Sequence, residues 1–106
     1  MNAATKGEKL SQPPYIFTYK NVAWVRHRDI HVLTIGTYTY TSDQRFQTTH
    51  HKDTDEWTLH IKWAQPRDAG TYECQISSVP IRSYFVELSV NNNREEIRMN
   101  YQAPPW

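Results

Sequence analysis

The feature that most constrains the fold is the run Asp68-Ala69-Gly70-Thr71-Tyr72-Glu73-Cys74. In an extended strand, residues two apart share a face, so Tyr72 and Cys74 point the same way. Asp68 and Gly70 supply a tight turn into that strand, with Gly70 able to adopt backbone angles closed to other residues. Trp24 stands fifty positions before the cysteine (74 − 24), within Val22-Ala23-Trp24-Val25-Arg26, whose composition is that of a strand. Trp57, Leu59 and Ile61 recur at period two and predict a buried strand face between these two landmarks. Large rings and branched side chains converging from several short strands imply an all-β sandwich.

The rest of the chain has the same texture, with short alternating runs separated by turn residues. Strands are predicted over residues 31–35, ending at Gly36, and over 37–41, where Thr/Tyr alternation favours an exposed strand. Ser42-Asp43 is a turn, 45–49 a short strand, 50–55 a polar loop and 65–70 a second turn region. The strand of Cys74 covers 71–77, and a last strand over 83–90 points Val86, Leu88 and Val90 inward. A further short strand is expected over 15–19, after the polar, proline-containing start. Three parts follow: a non-matching segment 1–21, a partial domain 22–90, and an unstructured tail 91–106 set off by Asn91-Asn92-Asn93-Arg94-Glu95-Glu96. There is no internal repeat and no helix longer than a turn.

In this order the landmarks are those of a variable-type immunoglobulin-like antiparallel sandwich, incomplete at its N-terminal strands. Tyr72 is placed to form the tyrosine corner, its ring in the core and its hydroxyl on upstream backbone. Trp24 would pack over the position where a cysteine pair bridges the sheets, and Arg45 would pair with Asp68 across the base. The bridge itself is missing, because Cys74 is the only cysteine. Removing a native disulfide from a small domain costs about 2–5 kcal/mol. Two states are open to Cys74: buried as a small apolar residue, or exposed and reactive.

Composition narrows the chemistry. The 106 residues allow one domain, and a net charge of +1 with Lys and Arg scattered among Asp and Glu excludes a nucleic-acid stripe. Thirteen per cent aromatics, with four Trp and seven Tyr against three Gly, suit pleated surfaces. No stretch approaches the ~20 apolar residues that span a bilayer, and MNAATKGEKL has no apolar run of a secretion signal. His50 and His51 beside Asp53 and Asp55 form the one cluster of potential metal ligands, but without a characteristic spacing. His27 and His31 would share a face only on a helix, and no nucleophile motif of the G-x-S-x-G kind occurs. Neither a cofactor, a metal nor an enzymatic activity is expected.

Residues 22–34, 38–46, 56–62 and 65–77 closely resemble the first immunoglobulin domain of the insect Dpr (defective proboscis extension response) family, truncated before the Trp-bearing strand. The resemblance covers about 22–90. It implies a neuronal surface receptor, extracellular, that binds a partner immunoglobulin domain of the DIP type heterophilically in synaptic partner choice. It also implies that the exposed face of the sheet holding Trp24 and Cys74 does the binding. Alternation then names Val25, His27, Glu73, Gln75 and Ser77 as outward, with His31, Leu33, Tyr40 and Phe85 from neighbouring strands. Val25, Leu33 and Phe85 would form an apolar centre within a polar rim. The alternative is a non-functional fragment, or an unanchored soluble decoy, of such a receptor.

Overall fold

The structure, a computed structural model, describes residues 21–92 and 94–103; the strand expected over 15–19 lies outside the described residues. The elements are β1 (Val22–Arg26), β2 (His31–Ile35), β3 (Tyr38–Thr39), β4 (Phe46–His51), β5 (Glu56–Ala64), a 3-10 turn (Pro66–Asp68), β6 (Gly70–Ile76), β7 (Arg82–Leu88) and β8 (Arg94–Gln102). Two antiparallel sheets result, a five-stranded one ordered β3-β2-β1-β6-β7 and a three-stranded one ordered β4-β5-β8. This is the variable-type arrangement, with the strands of Trp24 and Cys74 adjacent and in register.

Alternation fills the space between the sheets. Val22, Trp24, Leu33, Tyr72, Cys74 and Ile76 come from one sheet, and Phe46, Trp57, Leu59, Ile61 and Met99 from the other; all belong to one buried cluster. Val86 and Leu88 pack against it from β7, and Val90 is buried just beyond. Burying side chains of this size stabilises by roughly 1.5–3 kcal/mol each.

The base of the sandwich is closed by charge. Asp68 is 0% exposed, and Arg45 reaches it with two hydrogen bonds, Nη1 to Oδ2 at 2.8 Å and Nη2 to Oδ1 at 3.0 Å. The Gln65 amide donates to Asp68 Oδ2 at 2.8 Å, and the Tyr72 hydroxyl donates to the Asp68 carbonyl at 2.6 Å, which completes the tyrosine corner. Asp43 holds the other edge of the Arg45 guanidinium, 3.1 Å from Nη2. The chain leaves this knot through Gly70, whose φ of +134° is a left-handed value that a side chain would resist even though the space for a Cβ is open.

Most strand bounds differ from the sequence reading by one or two residues, and two differences are larger. The exposed strand expected over 37–41 is only Tyr38–Thr39, because the Tyr40 and Thr41 amides both turn back to the Leu33 carbonyl. Residues 91–106 were expected outside any sheet, yet Arg94–Gln102 is a nine-residue strand paired along β5. Its polar look comes from the outward positions Glu96, Arg98 and Asn100; between them Ile97, Met99 and Tyr101 alternate toward the core.

Burial alone would raise the Asp68 carboxyl, but the bonds from Arg45 and the Gln65 amide outweigh it and hold the group below its ordinary 3.8. A carboxylate depressed in the folded state contributes stability above pH 3.8 that is lost as pH falls through its folded value. Asp68→Ala is therefore expected to destabilise the domain by about 3–5 kcal/mol at pH 7, since it strands a partly buried guanidinium. The same change should cost less at pH 3 than at pH 7, because the loss of this contribution begins below pH 3.8, while Asp53→Ala in the exposed β4–β5 turn stays within about 0.5 kcal/mol. Urea melts of the three proteins at both pH values measure this; equal losses for Asp68→Ala and Asp53→Ala at pH 7 contradict it.

Candidate functional site

Since Trp24, Tyr72 and Cys74 fill the core, the positions between them face away from it. The register sets Ala23 beside Gln75, Val25 beside Glu73, Glu73 beside Phe85 and Gln75 beside Ser83 on this outer surface. Its middle is polar and pinned. Glu73 is buried, with His27 Nε2 2.7 Å from Oε1 and Gln75 Nε2 donating to Oε2 at 3.1 Å. The Ser83 hydroxyl gives the largest push lowering the Glu73 pKa, opposed by burial and reinforced by His27 and Gln75, so the carboxylate stays charged at neutral pH. The His27 ring in turn stands edge-on to Phe85, with centroids 5.4 Å apart and planes at 72°, one of the favoured arrangements of two rings.

Apolar side chains surround this centre. Phe85 is 55% exposed, and Ile35, paired with both Ala23 and Tyr38, is 40% exposed. Tyr38 is exposed beside it, and Ile81 is exposed in the β6–β7 connection. Ala23, Ile35, Gln75, Ile76, Ser77, Ile81 and Asn21 line a shallow hollow at this end of the sheet, with mostly apolar walls.

Of the residues assigned to this face from sequence, His27, Gln75 and Phe85 lie together on it as expected. Ser77 is exposed just past β6, where its Oγ accepts the Asn21 amide at 2.9 Å, and Tyr40 is exposed just past β3. Three assignments need correction. Leu33 is 0% exposed and belongs to the core. The β1–β2 register shifts between Trp24 and Val25, pairing Trp24 with Thr34 but Val25 with Val32, and this bulge turns Leu33 inward next to an equally buried Thr34. His31 falls on the other side of the sheet, because its register partner Arg26 also pairs with the inward Tyr72; it is half-buried and bonds Thr41 Oγ1 at 3.1 Å. Val25 does face outward but is only 6% exposed, enclosed between Val32 and Glu73. Ile35, Tyr38 and Ile81 were missed. Ile35 and Tyr38 stand two positions from Leu33 and Tyr40, so the alternation that assigned those residues outward already included them; what it could not show is that the bulge turns Leu33 inward and leaves Ile35 out.

The other candidates for chemistry are engaged structurally. His50 stacks on Trp57 with centroids 3.6 Å apart, and His50 Nε2 and Trp57 Nε1 both bond Asp55 Oδ1, at 2.7 and 2.9 Å. His27 and His31 lie on opposite sides of their sheet. Of the two states open to Cys74 the structure takes the buried one, with burial first and Glu73 second pushing its pKa up to about 12.

With this geometry the comparisons are informative. No protein-family model matches the chain. The Zwei Ig domain protein zig-8 of Caenorhabditis elegans is 36% identical over 69 residues, 65% of this chain and 25% of that protein. Among solved structures, the two-domain Dpr2 chain in complex with DIP-Theta is 51% identical with a TM-score of 0.65, over 69% of this chain and 33% of that one. The Dpr11 first immunoglobulin domain bound to DIP-gamma is 47% identical with a TM-score of 0.62, over 66% of this chain and 73% of that one. The chain belongs to the Dpr family.

It corresponds to the first immunoglobulin domain of its Dpr relatives, and spans a quarter of the length of zig-8 and a third of the Dpr2 chain. In this Dpr domain Cys74 sits beneath Trp24, its register partner, so the pair fills core volume without a bridge. A thiol titrating near 12 is about one part in ten thousand thiolate at pH 8. Iodoacetamide at pH 8 should accordingly alkylate Cys74 in the folded Dpr domain at least ~100-fold more slowly than in urea. Mass spectrometry over a time course reads both rates, and comparable rates would place the thiol at the surface.

Proposed function

We propose that this domain is a recognition module of a neuronal surface receptor, without catalytic activity, that binds a DIP-type immunoglobulin domain heterophilically in synaptic partner choice. Its binding surface is the outward face of the five-stranded sheet. The observation that carries this reading is the arrangement on that face, where exposed Phe85, Ile35, Tyr38 and Ile81 surround a charge held by His27, Gln75 and Ser83. Apolar anchors next to a fixed, already hydrogen-bonded charge give a partner both affinity and register. The Dpr2 and Dpr11 domains, to which this chain is similar, were solved in complex with DIP-Theta and DIP-gamma, and support the choice of partner class.

The anchors differ from those that simple alternation names. With Leu33 in the core and Val25 enclosed, Phe85 and Ile35 are the side chains that a partner can desolvate. Truncating a central anchor costs about 2 kcal/mol, roughly thirtyfold in affinity. In surface-plasmon measurements against a panel of DIP-type domains, Phe85→Ala and Ile35→Asp should each weaken binding about thirtyfold or more. Gln47→Ala, on an exposed position of β4 in the opposite sheet, should leave binding within about twofold. Loss of binding with Gln47→Ala but not with the other two would assign recognition to the three-stranded sheet instead.

A further inference from the structure

Numbered without the two extra strands that a variable-type domain inserts after the Trp strand, here β2 and β3, the sheet facing the Trp and Cys strands of an immunoglobulin sandwich runs in the order first, second, fifth, fourth. The Trp marks the third strand and the tyrosine corner with its cysteine marks the sixth, which makes β1 the third, β4 the fourth, β5 the fifth and β6 the sixth. The neighbour of β5 on the side away from β4 is thus the place of the second strand, which in that topology comes before the Trp strand and carries the first cysteine of the bridge. Here β8 holds that place, although it follows β7 in sequence. Its direction is right as well, antiparallel to β5.

Side chains match the place. Ile97, Met99 and Tyr101 lie opposite Ile61, Leu59 and Trp57, and all contribute to the core. On the outer side Thr58 Oγ1 donates to Asn100 Oδ1 at 2.7 Å, Asn100 Nδ2 donates to Glu56 Oε2 at 3.2 Å, and His60 Nδ1 lies 2.9 Å from Glu96 Oε2. The Tyr101 ring is 5.1 Å from that of Tyr84, whose register partner across β6–β7 is Cys74. Tyr101 and Cys74 are thus joined through Tyr84, which touches the one ring and lies beside the other residue in register.

We propose that Arg94–Gln102 serves as the second strand of this sandwich, with Tyr101 standing where the bridging partner of Cys74 would be. The β5 edge is then a strand-accepting site whose ligand is an extended segment with apolar residues at alternate positions, and the chain supplies that ligand itself. An aromatic contact takes over the role of the covalent one.

Tyr101→Cys in the full chain tests the register directly. With diamide as the two-electron oxidant, the thiols of Cys74 and the new cysteine each lose a proton and one S–S bond forms as diamide is reduced to its hydrazine. Peptide mapping should find that bond, and the melting temperature should rise by roughly 10 °C or more over the reduced form. Ile97→Cys, four residues and about 13 Å further along the strand, should stay unbridged. A folded Tyr101→Cys protein that, after the same oxidation and then unfolding in urea, still shows two alkylatable thiols overturns the proposal. Hydrogen exchange on the unaltered chain gives an answer even where that variant does not fold: β5 amides paired to β8 should exchange as slowly as those of β6. Exchange at the rate of the β4–β5 turn overturns it.

Discussion

Nearly everything in this domain hangs on a carboxylate that water cannot reach. Asp68 is taken out of solvent at the base of the sandwich, a position untenable for an isolated charge, and is held there by a two-pronged guanidinium and a backbone amide. Because its own carbonyl receives the Tyr72 hydroxyl, the same residue that anchors Arg45 from the start of β4 also sets where β6 begins. One ion pair thereby links the two sheets, and the alternation that sends Tyr72 and Cys74 inward and Glu73 and Gln75 outward starts from it. The outer face of the five-stranded sheet inherits its register from the base.

The interior is organised around rings. Trp24 lies fully buried against Cys74 with its Nε1 lacking a hydrogen-bond partner among the described residues, an energetic burden of about 1–3 kcal/mol. Tyr72, Phe46, Trp57 and Tyr101 close the remaining space. The Arg26 and Arg45 guanidinium carbons lie 5.6 Å and 5.3 Å from the centroid of the Phe46 ring. At that range a cation is attracted to the ring face, so the charged base and the aromatic core share a boundary instead of competing for it.

The fold could be read from the chain because its landmarks are local: a turn, a corner and a period of two each occupy a few neighbouring residues. Asp68, Gly70, Tyr72 and Cys74 declare themselves within seven positions. What escaped is non-local. The shift between Trp24 and Val25 is a property of how two strands pair, and no residue in either one announces it, so Leu33 and His31 went to the wrong side. Val25 was oriented correctly but not seen to be enclosed, since enclosure depends on its neighbours on the two flanking strands, Val32 and Glu73. β8 was hidden for another reason. Half of its residues are polar because they face solvent, and composition averaged over both faces looks like a tail.

The place of β8 in the sheet also bears on how the protein behaves in concentrated solution. Among the described residues it is an outer strand, and outer strands present unpaired backbone groups on which another molecule could build. The row formed by Ile97, Met99 and Tyr101 is preceded on the same side by Glu95, which is exposed. A strand added at that edge would lie beside this carboxylate and would have to take part of its water away. Glu96 and Arg98 add charge on the opposite side. The outer strand thus carries charge at both of its faces, a deterrent to extension of the sheet by another molecule.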